Sequence, residues 1–212
     1  PPTSNGSGAD RSLLRKASQL LTAAGWTNKG NKRVNNKGET LDVEILTFSS
    51  SFERIIGPYV ENLKRLGVNA TLRRVDPSQY QRRVKAFDFD ITTQRYVMSL
   101  QPGIELKNFF GSDSAKADGS YNLAAISDPV VDALIAKVMA AKNREDLVVA
   151  ARALDRVLRA GHYWVPHWYK ASHNLAFWDT FGRPKVKPKY ARGVIDTWWF
   201  DETKAPNLKR NN

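Results

Sequence analysis

The chain contains no cysteine. Disulfides, thiolate nucleophiles and Cys-ligated metal centres are therefore excluded, although the absence fits either redox compartment. Histidine is scarce: His162, His167 and His173 are spaced by five and six residues. That spacing does not put two of them on one helix face, and no acidic cluster adjoins them, so no metal site is expected. No apolar run approaches the roughly 20 residues a membrane-spanning helix needs. The chain also lacks a Gly-x-Ser-x-Gly elbow, a phosphate-cradling Gly-rich loop and a His-Glu-x-x-His helix. Acid is short relative to base, with 21 Asp+Glu against 33 Lys+Arg for a net charge of +12. The basic residues are spread over every segment, and only short runs such as Arg73–Arg74 and Arg82–Lys85 stand out. A solvated basic surface is the plain reading of that spread, and a nucleic-acid footprint is the rival one.

What is present is ordered. A length of 212 residues fits one large domain or two small ones. Residues 1–9 are rich in Pro, Ser, Gly and Asn and read as a flexible linker cut from something longer, not as a signal peptide. Asp10 is placed to cap a helix with Leu13, Leu14, Ala17, Leu20, Leu21 and Ala24 on its apolar face, ended by Gly25. Asn35–Gly38 reads as a hairpin turn.

The stretch from Gly25 to Pro102 then carries the strongest signal. Alternating residues 41–47 predict a strand. A helix over about 52–66 has Ile55, Ile56, Tyr59, Leu63 and Leu66 on one face and stops at Gly67. A second strand over 70–75, a short helix from Asp76–Pro77 to near Ala86, and a third strand over 89–96 follow. Two consecutive β-α-β crossovers force a parallel sheet. In such sheets ligands bind beyond the carboxyl ends of the strands, where strand order reverses. The rule points at two loops, Phe48–Ser51 and Val97–Pro102.

Further on, a short helical piece over 103–110 precedes a polar loop over 111–119. Asp128–Pro129 opens a helix carrying Val131, Leu134, Ile135, Val138 and Met139, and a second helix starts after Asn143 and runs to Gly161. The last 50 residues are different. His162–Tyr169 is dense in aromatics, His173–Trp178 reads as a strand, and Thr197–Asp201 is apolar enough to need a partner surface.

Two clusters invite chemistry and have simpler explanations. Ser49–Ser51 could cradle an anion at a helix start, but N-capping accounts for it. Asp88 and Asp90 share a strand face, but at the end of the sheet away from the crevice, which suits an acid pair of structural use. Aromatics line both cores and clefts; of Tyr96, Tyr121, Trp164, Trp168, Tyr169, Trp178, Trp198 and Trp199, Tyr96 is the best cleft candidate because it ends the third strand.

Leu20–Trp26, Leu41–Leu46, Asn62–Ala70, Val75–Tyr80 and Phe87–Asp90 together resemble the carboxyl-terminal lobe of the family 5 extracellular solute-binding proteins, the peptide- and nickel-type receptors of ABC importers. Leu154–Leu158, Trp164–Tyr169 and Asp196–Asp201 are similar to the YejA-like oligopeptide-binding branch, and Ser127–Asp132 resembles the helix start after the family's ligand-side Asn, here Asn122. The resemblance spans about Asp10 to Lys204. It implies an α/β, type II periplasmic-binding-protein-like lobe, with a mainly parallel sheet flanked by helices. Residues 10–212 would form that lobe, and 190–212 a tail that contacts a missing amino-terminal lobe. It further implies a periplasmic, non-enzymatic receptor that takes up short peptides without a cofactor and passes them to an inner-membrane ABC permease.

On that basis the ligand-binding candidates are Arg95, Tyr96, Ser99 and Gln101 in the loop after the third strand, then Asn122 and Trp168. Ser99 falls at or beside the position where the family often carries an Asp that holds a peptide's amino group, and no acid occurs between Ile91 and Gly103. Arg95 offers the opposite charge, with a solvent-facing strand position as its plainer use. The alternatives are a receptor of the same fold for a non-peptide solute, a basic nucleic-acid-binding module, and a hydrolase pairing Ser49–Ser51 with His167. Each predicts something distinct: a different cargo, salt-steep polyanion binding, or a base within about 3 Å of a serine oxygen.

Overall fold

In the computed structural model the described residues are 3–98, 101–169, 172, 174–188 and 193–204. They fall into two compact units, residues 1–164 and 165–212. No described helix is long and apolar enough to cross a membrane.

The first unit begins with α1 (Arg11–Ala23), whose Asp10 carboxylate accepts the backbone N–H groups of Ser12 and Leu13. Leu20, expected on its buried face, is exposed, and the contact to the sheet core comes from Leu21. A two-strand antiparallel ribbon follows, β1 (Thr27–Lys29) and β2 (Lys32–Val34), which no hydrophobic alternation announces. The Asn35–Gly38 turn forms as expected, with Gly38 at φ 83°.

The sheet is parallel, as anticipated. β3 (Asp42–Thr47) pairs on one side with β4 (Asn69–Arg74) and on the other with β5 (Ile91–Thr92), giving the order β4-β3-β5. Between them run α2 (Ser50–Arg65) and α3 (Pro77–Lys85). Crossovers in opposite directions place these two helices on opposite faces when both are right-handed. α2 buries Ile56 and Val60 against Ile45, Val68 and Ala70. Its buried row passes through Val60, not the expected Tyr59, which is exposed. α3 is capped by Asp76, which accepts from the Ser78 and Gln79 N–H groups.

The third strand is far shorter than the expected 89–96. After Thr92 the chain turns to local partners: the Tyr80 hydroxyl binds Thr93 O (3.3 Å), and the Arg95 N–H binds its neighbour's side chain, Gln94 Oε1 (3.0 Å). A ladder to β3 cannot continue where these groups are already engaged.

α4 (Glu105–Phe110) leads to a 3₁₀ turn over Ser112–Ser114 and then to the helical hairpin α5 (Pro129–Met139) and α6 (Arg144–Ala160). Asp128 and Asn143 cap the two helices, matching the expected starts. Val131, Ile135 and Val138 face Leu147, Leu154 and Leu158, with Leu106, Phe110 and Ile126 closing this second core; Met139 lies outside it.

One polar residue joins three segments beneath the sheet. Arg33 on β2 is only 1% exposed. Its Nε donates to Leu66 O (2.8 Å), its Nη1 to Thr22 Oγ1 (2.9 Å) and Trp26 O (2.9 Å), and its Nη2 to Ser18 O (3.3 Å) and Ser18 Oγ. All five N–H groups are thus engaged, tying the last two turns of α1 and the Trp26 carbonyl to the Leu66 carbonyl at the end of α2. Gly67 at φ 84° accepts the Arg33 backbone N–H (2.8 Å), and a Cβ there would press on that N–H at 3.2 Å.

The second unit holds an antiparallel pair, β6 (Phe181–Gly182) with β7 (Trp199–Phe200), and the single turn α7 (Val194–Thr197). The strand expected over His173–Trp178 is not there. Residues 174–178 have no strand structure, and His173 lies outside the described residues. Phe177 instead stacks edge-on with Trp198 (4.6 Å), and the chain bends where the Thr180 N–H returns to Trp178 O (2.7 Å).

Candidate functional site

Strand order reverses around β3, so the crevice predicted by that reversal opens between the carboxyl ends of β3 and β5. Thr47 ends β3 fully buried, and its hydroxyl oxygen accepts the Ser49 N–H (3.2 Å). The next residue, Phe48, is 49% exposed and rests its ring on that of buried Tyr80 (4.8 Å). Tyr80 is fixed in turn, because its hydroxyl lies 2.9 Å from Thr92 Oγ1, which donates to Leu46 O (3.1 Å). The floor of the crevice is therefore locked by hydrogen bonds from α3 through β5 to β3.

Ser49 occupies the N-cap of α2 without a capping bond from its side chain, so the simple capping explanation does not hold for it. Among the described residues no hydrogen bond joins a Ser49–Ser51 hydroxyl to a histidine. His167 belongs to the second unit, 5.3 Å ring to ring from Trp168.

Past β5, residues 94–98 form no helix or strand and make no backbone–backbone hydrogen bond to any described residue. Arg95 is exposed. Tyr96 is half-buried in a ring cluster, 5.2 Å from Phe109, 5.4 Å from Phe110 and 5.9 Å from Trp164, and burial raises its hydroxyl pKa above the ordinary 10.0. The neutral phenol is what this wall presents at any physiological pH. Ser99 lies outside the described residues. Gln101 is exposed on the rim of an open cavity of ≈ 620 Å³, whose floor includes Val138 and Leu147 and whose edge includes Lys142.

Asn122 is 0% exposed. Its Nδ2 donates to Gly111 O (3.1 Å) and Ile126 O (2.9 Å), and its Oδ1 accepts the Ile126 N–H (2.9 Å). It ties a turn together and offers no atom to a ligand in this arrangement. Trp168 is exposed in the second unit. The structure thus gathers Arg95 and Tyr96 in one segment at the crevice, sets Gln101 on a nearby stretch of the same loop, and gives Asn122 another task.

Some of the charges near the sheet are engaged locally. Arg74 pairs with Glu53 (3.1 Å), and Arg83 pairs with both Glu44 (2.7 Å) and Asp88 (2.8 Å). Asp90 accepts the Glu44 N–H (2.8 Å); Asp88 and Asp90 precede β5 rather than sharing a strand face, and both brace the end of the sheet away from the loops after β3 and β5. Among the described residues no group of three or more His, Asp or Glu is gathered as metal ligands.

An α/β fold with a parallel sheet and aromatic rings beside the loops at its strand-order reversal is a build that solute-binding proteins use. Comparison with known proteins narrows that class. Residues 1–118 match the family described as bacterial extracellular solute-binding proteins, family 5 Middle, and the chain belongs to that family. It is 50% identical over 190 residues to the uncharacterized protein y4wM of Sinorhizobium fredii, covering 89% of this chain and 29% of that protein. It is 47% identical over 199 residues to the probable peptide-binding protein YejA of Agrobacterium fabrum, covering 93% of this chain and 32% of that one. The chain spans about a third of the length of these relatives. In fold it is similar to the periplasmic oligopeptide-binding protein of Thermotoga maritima bound to mannohexaose, with a TM-score of 0.66 at 18% identity over 74% of this chain and 31% of that one.

Proposed function

We propose that this chain is the carboxyl-terminal lobe of the substrate-binding protein of an ABC importer. That protein captures short peptides between two lobes in the periplasm and delivers them to an inner-membrane permease. The observation that carries the peptide reading is the segment 94–98, which leaves the carboxyl end of β5 with no backbone–backbone hydrogen bond to any described residue and lies beside an aromatic wall. Backbone left open next to a sheet is what an extended peptide binds, through main-chain bonds that do not depend on its sequence. The peptide-binding name of the 47%-identical relative supports the same class. Tyr96 would form part of the wall, with Arg95, Ser99 and Gln101 as the loop's ligand-binding candidates; Trp168 is a separate candidate on the second unit. Residues 190–212 would meet the amino-terminal lobe. No enzymatic step is required, since capture and release are non-covalent.

The polyanion reading has the net charge of +12 in its favour, but the basic residues are spread over every segment, and Arg33 is internal while Arg74 and Arg83 are held by carboxylates. The sugar bound to the Thermotoga receptor keeps a non-peptide cargo as the competing outcome. Native mass spectrometry of the full-length protein purified from its own periplasm, with identification of the released ligand, tests the proposal. Co-purified short peptides of mixed sequence are expected. A single sugar species would overturn the cargo while leaving the receptor, and retained nucleic acid through a moderate salt wash would overturn both.

A further inference from the structure

Asn122 anchors its turn through more than its side chain. Its backbone N–H donates to Ser120 Oγ (2.9 Å), its carbonyl accepts the Ala125 N–H (2.9 Å), and Ala125 is held at φ 50°, a conformation that costs a residue with a Cβ. The residue this framework immobilises is the one before it. Tyr121 is 61% exposed, and its ring stands perpendicular to Phe109 at 6.1 Å and 89°. Phe109 in turn meets Tyr96 edge-on at 5.2 Å. The rings grade from buried Phe110 through half-buried Tyr96 and Phe109 to exposed Tyr121.

We propose that Tyr121 is the ligand-contacting residue of this turn, forming with Phe109 the outer end of the wall that starts at Tyr96 and receiving an aromatic side chain of a bound peptide. Asn122 is its positioning residue. The proposal rests on the peptide reading above. A perpendicular ring pair with one member in solvent is an open herringbone, and an arriving ring extends it at the usual centroid spacing of about 4.5–7 Å. The backbone beneath Tyr121 is already fixed, so only two side-chain torsions remain to be ordered on binding, which keeps the entropic cost low. The site differs from the loop after β5. That loop supplies main-chain bonds common to all peptides, whereas Tyr121 discriminates among them by side chain.

Isothermal titration of the full-length protein with Ala-Phe-Ala and Ala-Ala-Ala tests this directly. The unmodified protein should prefer Ala-Phe-Ala. Tyr121→Ala should weaken Ala-Phe-Ala by about three- to tenfold, the worth of one aromatic pair, and leave Ala-Ala-Ala within about twofold. Tyr121→Phe should keep the preference. Tyr121→Trp should show a shift in indole emission with Ala-Phe-Ala. Equal losses for both peptides, no loss for either, or an indole emission in the Tyr121→Trp variant that Ala-Phe-Ala leaves unchanged would overturn this inference and leave the peptide reading intact. Failure of the unmodified protein to bind either peptide would overturn the peptide reading, and this inference with it.

Discussion

The two compact units carry large apolar side chains in similar proportion and use them in opposite ways. Every buried hydrophobic residue among those described lies at or before Leu158, most of them in one core at the sheet and one in the helical hairpin. In the second unit the buried described residues are Thr180, Gly182 and Gly193, while Trp168, Trp178, Trp199 and Phe200 are exposed. Its order comes from ring-on-ring contacts around Trp198, with Arg183 over the Phe177 ring (5.5 Å), and from Trp199 lying against Gly182 across the β6–β7 pair, where any Cβ would collide with the indole. Aromatic content alone does not make a core; burial needs opposed faces, and a two-strand ribbon has none to oppose.

Substitutions can sharpen or break this contrast. The largest effect is expected at Ile135, buried between α5 and α6: Ile135→Ala should destabilise the chain by about 2–5 kcal/mol in urea unfolding. Arg33→Met should follow, at about 1–3 kcal/mol, because it strands acceptors at two helix ends; Arg33→Lys should recover only part of that, since an ammonium cannot reproduce the five-donor fork. Asn122→Ala should cost about 1–3 kcal/mol by orphaning Gly111 O and the Ile126 N–H, and Asn122→Asp should cost more by setting a carboxylate against two carbonyls. Trp178→Ala, in the second unit, should stay within about 0.5 kcal/mol. A loss there approaching that of Ile135→Ala would break the comparison.

The smallest effect concerns acid. Hydrogen bonds lower the pKa of Asp10, chiefly from the Ser12 hydroxyl, and of Asp76, chiefly from the Gln79 N–H, below the ordinary 3.8. A carboxyl that binds its proton less readily when folded adds stability above its unfolded value, and that stability disappears as pH falls through the folded one. Unfolding midpoints should therefore drop below pH 3.8, and Asp10→Asn with Asp76→Asn should flatten that drop while keeping the caps. An unchanged slope in the double variant would locate the acid sensitivity elsewhere, Asp42 of the first unit and Asp201 of the second being the other carboxyls with a lowered pKa.

What was legible in the sequence was local. Asp10, Asp76, Asp128 and Asn143 announce helix starts because a cap needs only its own next three residues, and the parallel order follows from the alternation of strand and helix. The extent of the third strand was not legible, because residues 93–96 look like strand by composition while their partners come from Tyr80 and Gln94. The loops after β3 and β5 follow from topology, but whether a polar residue faces a ligand or the interior depends on distant carbonyls. Asn122 needs Gly111, and Arg33 needs Ser18, Trp26 and Leu66; no pattern of spacing announces either. Tyr121 was visible as one aromatic among many; only its exposure beside an immobilised turn distinguishes it.

Arg33 has one more consequence. Its positive charge has no counter-ion among the described residues, since each of its five N–H groups holds a neutral oxygen. Its hydrogen-bond partners include no carboxylate to be protonated or to exchange its partner for a salt ion. The fastening between the ends of α1 and α2 is therefore indifferent to acid and to ionic strength, while the beginnings of α1 and α3 are not. Acidified, this chain should fray from its helix starts inward, with the knot at Arg33 the last point to let go.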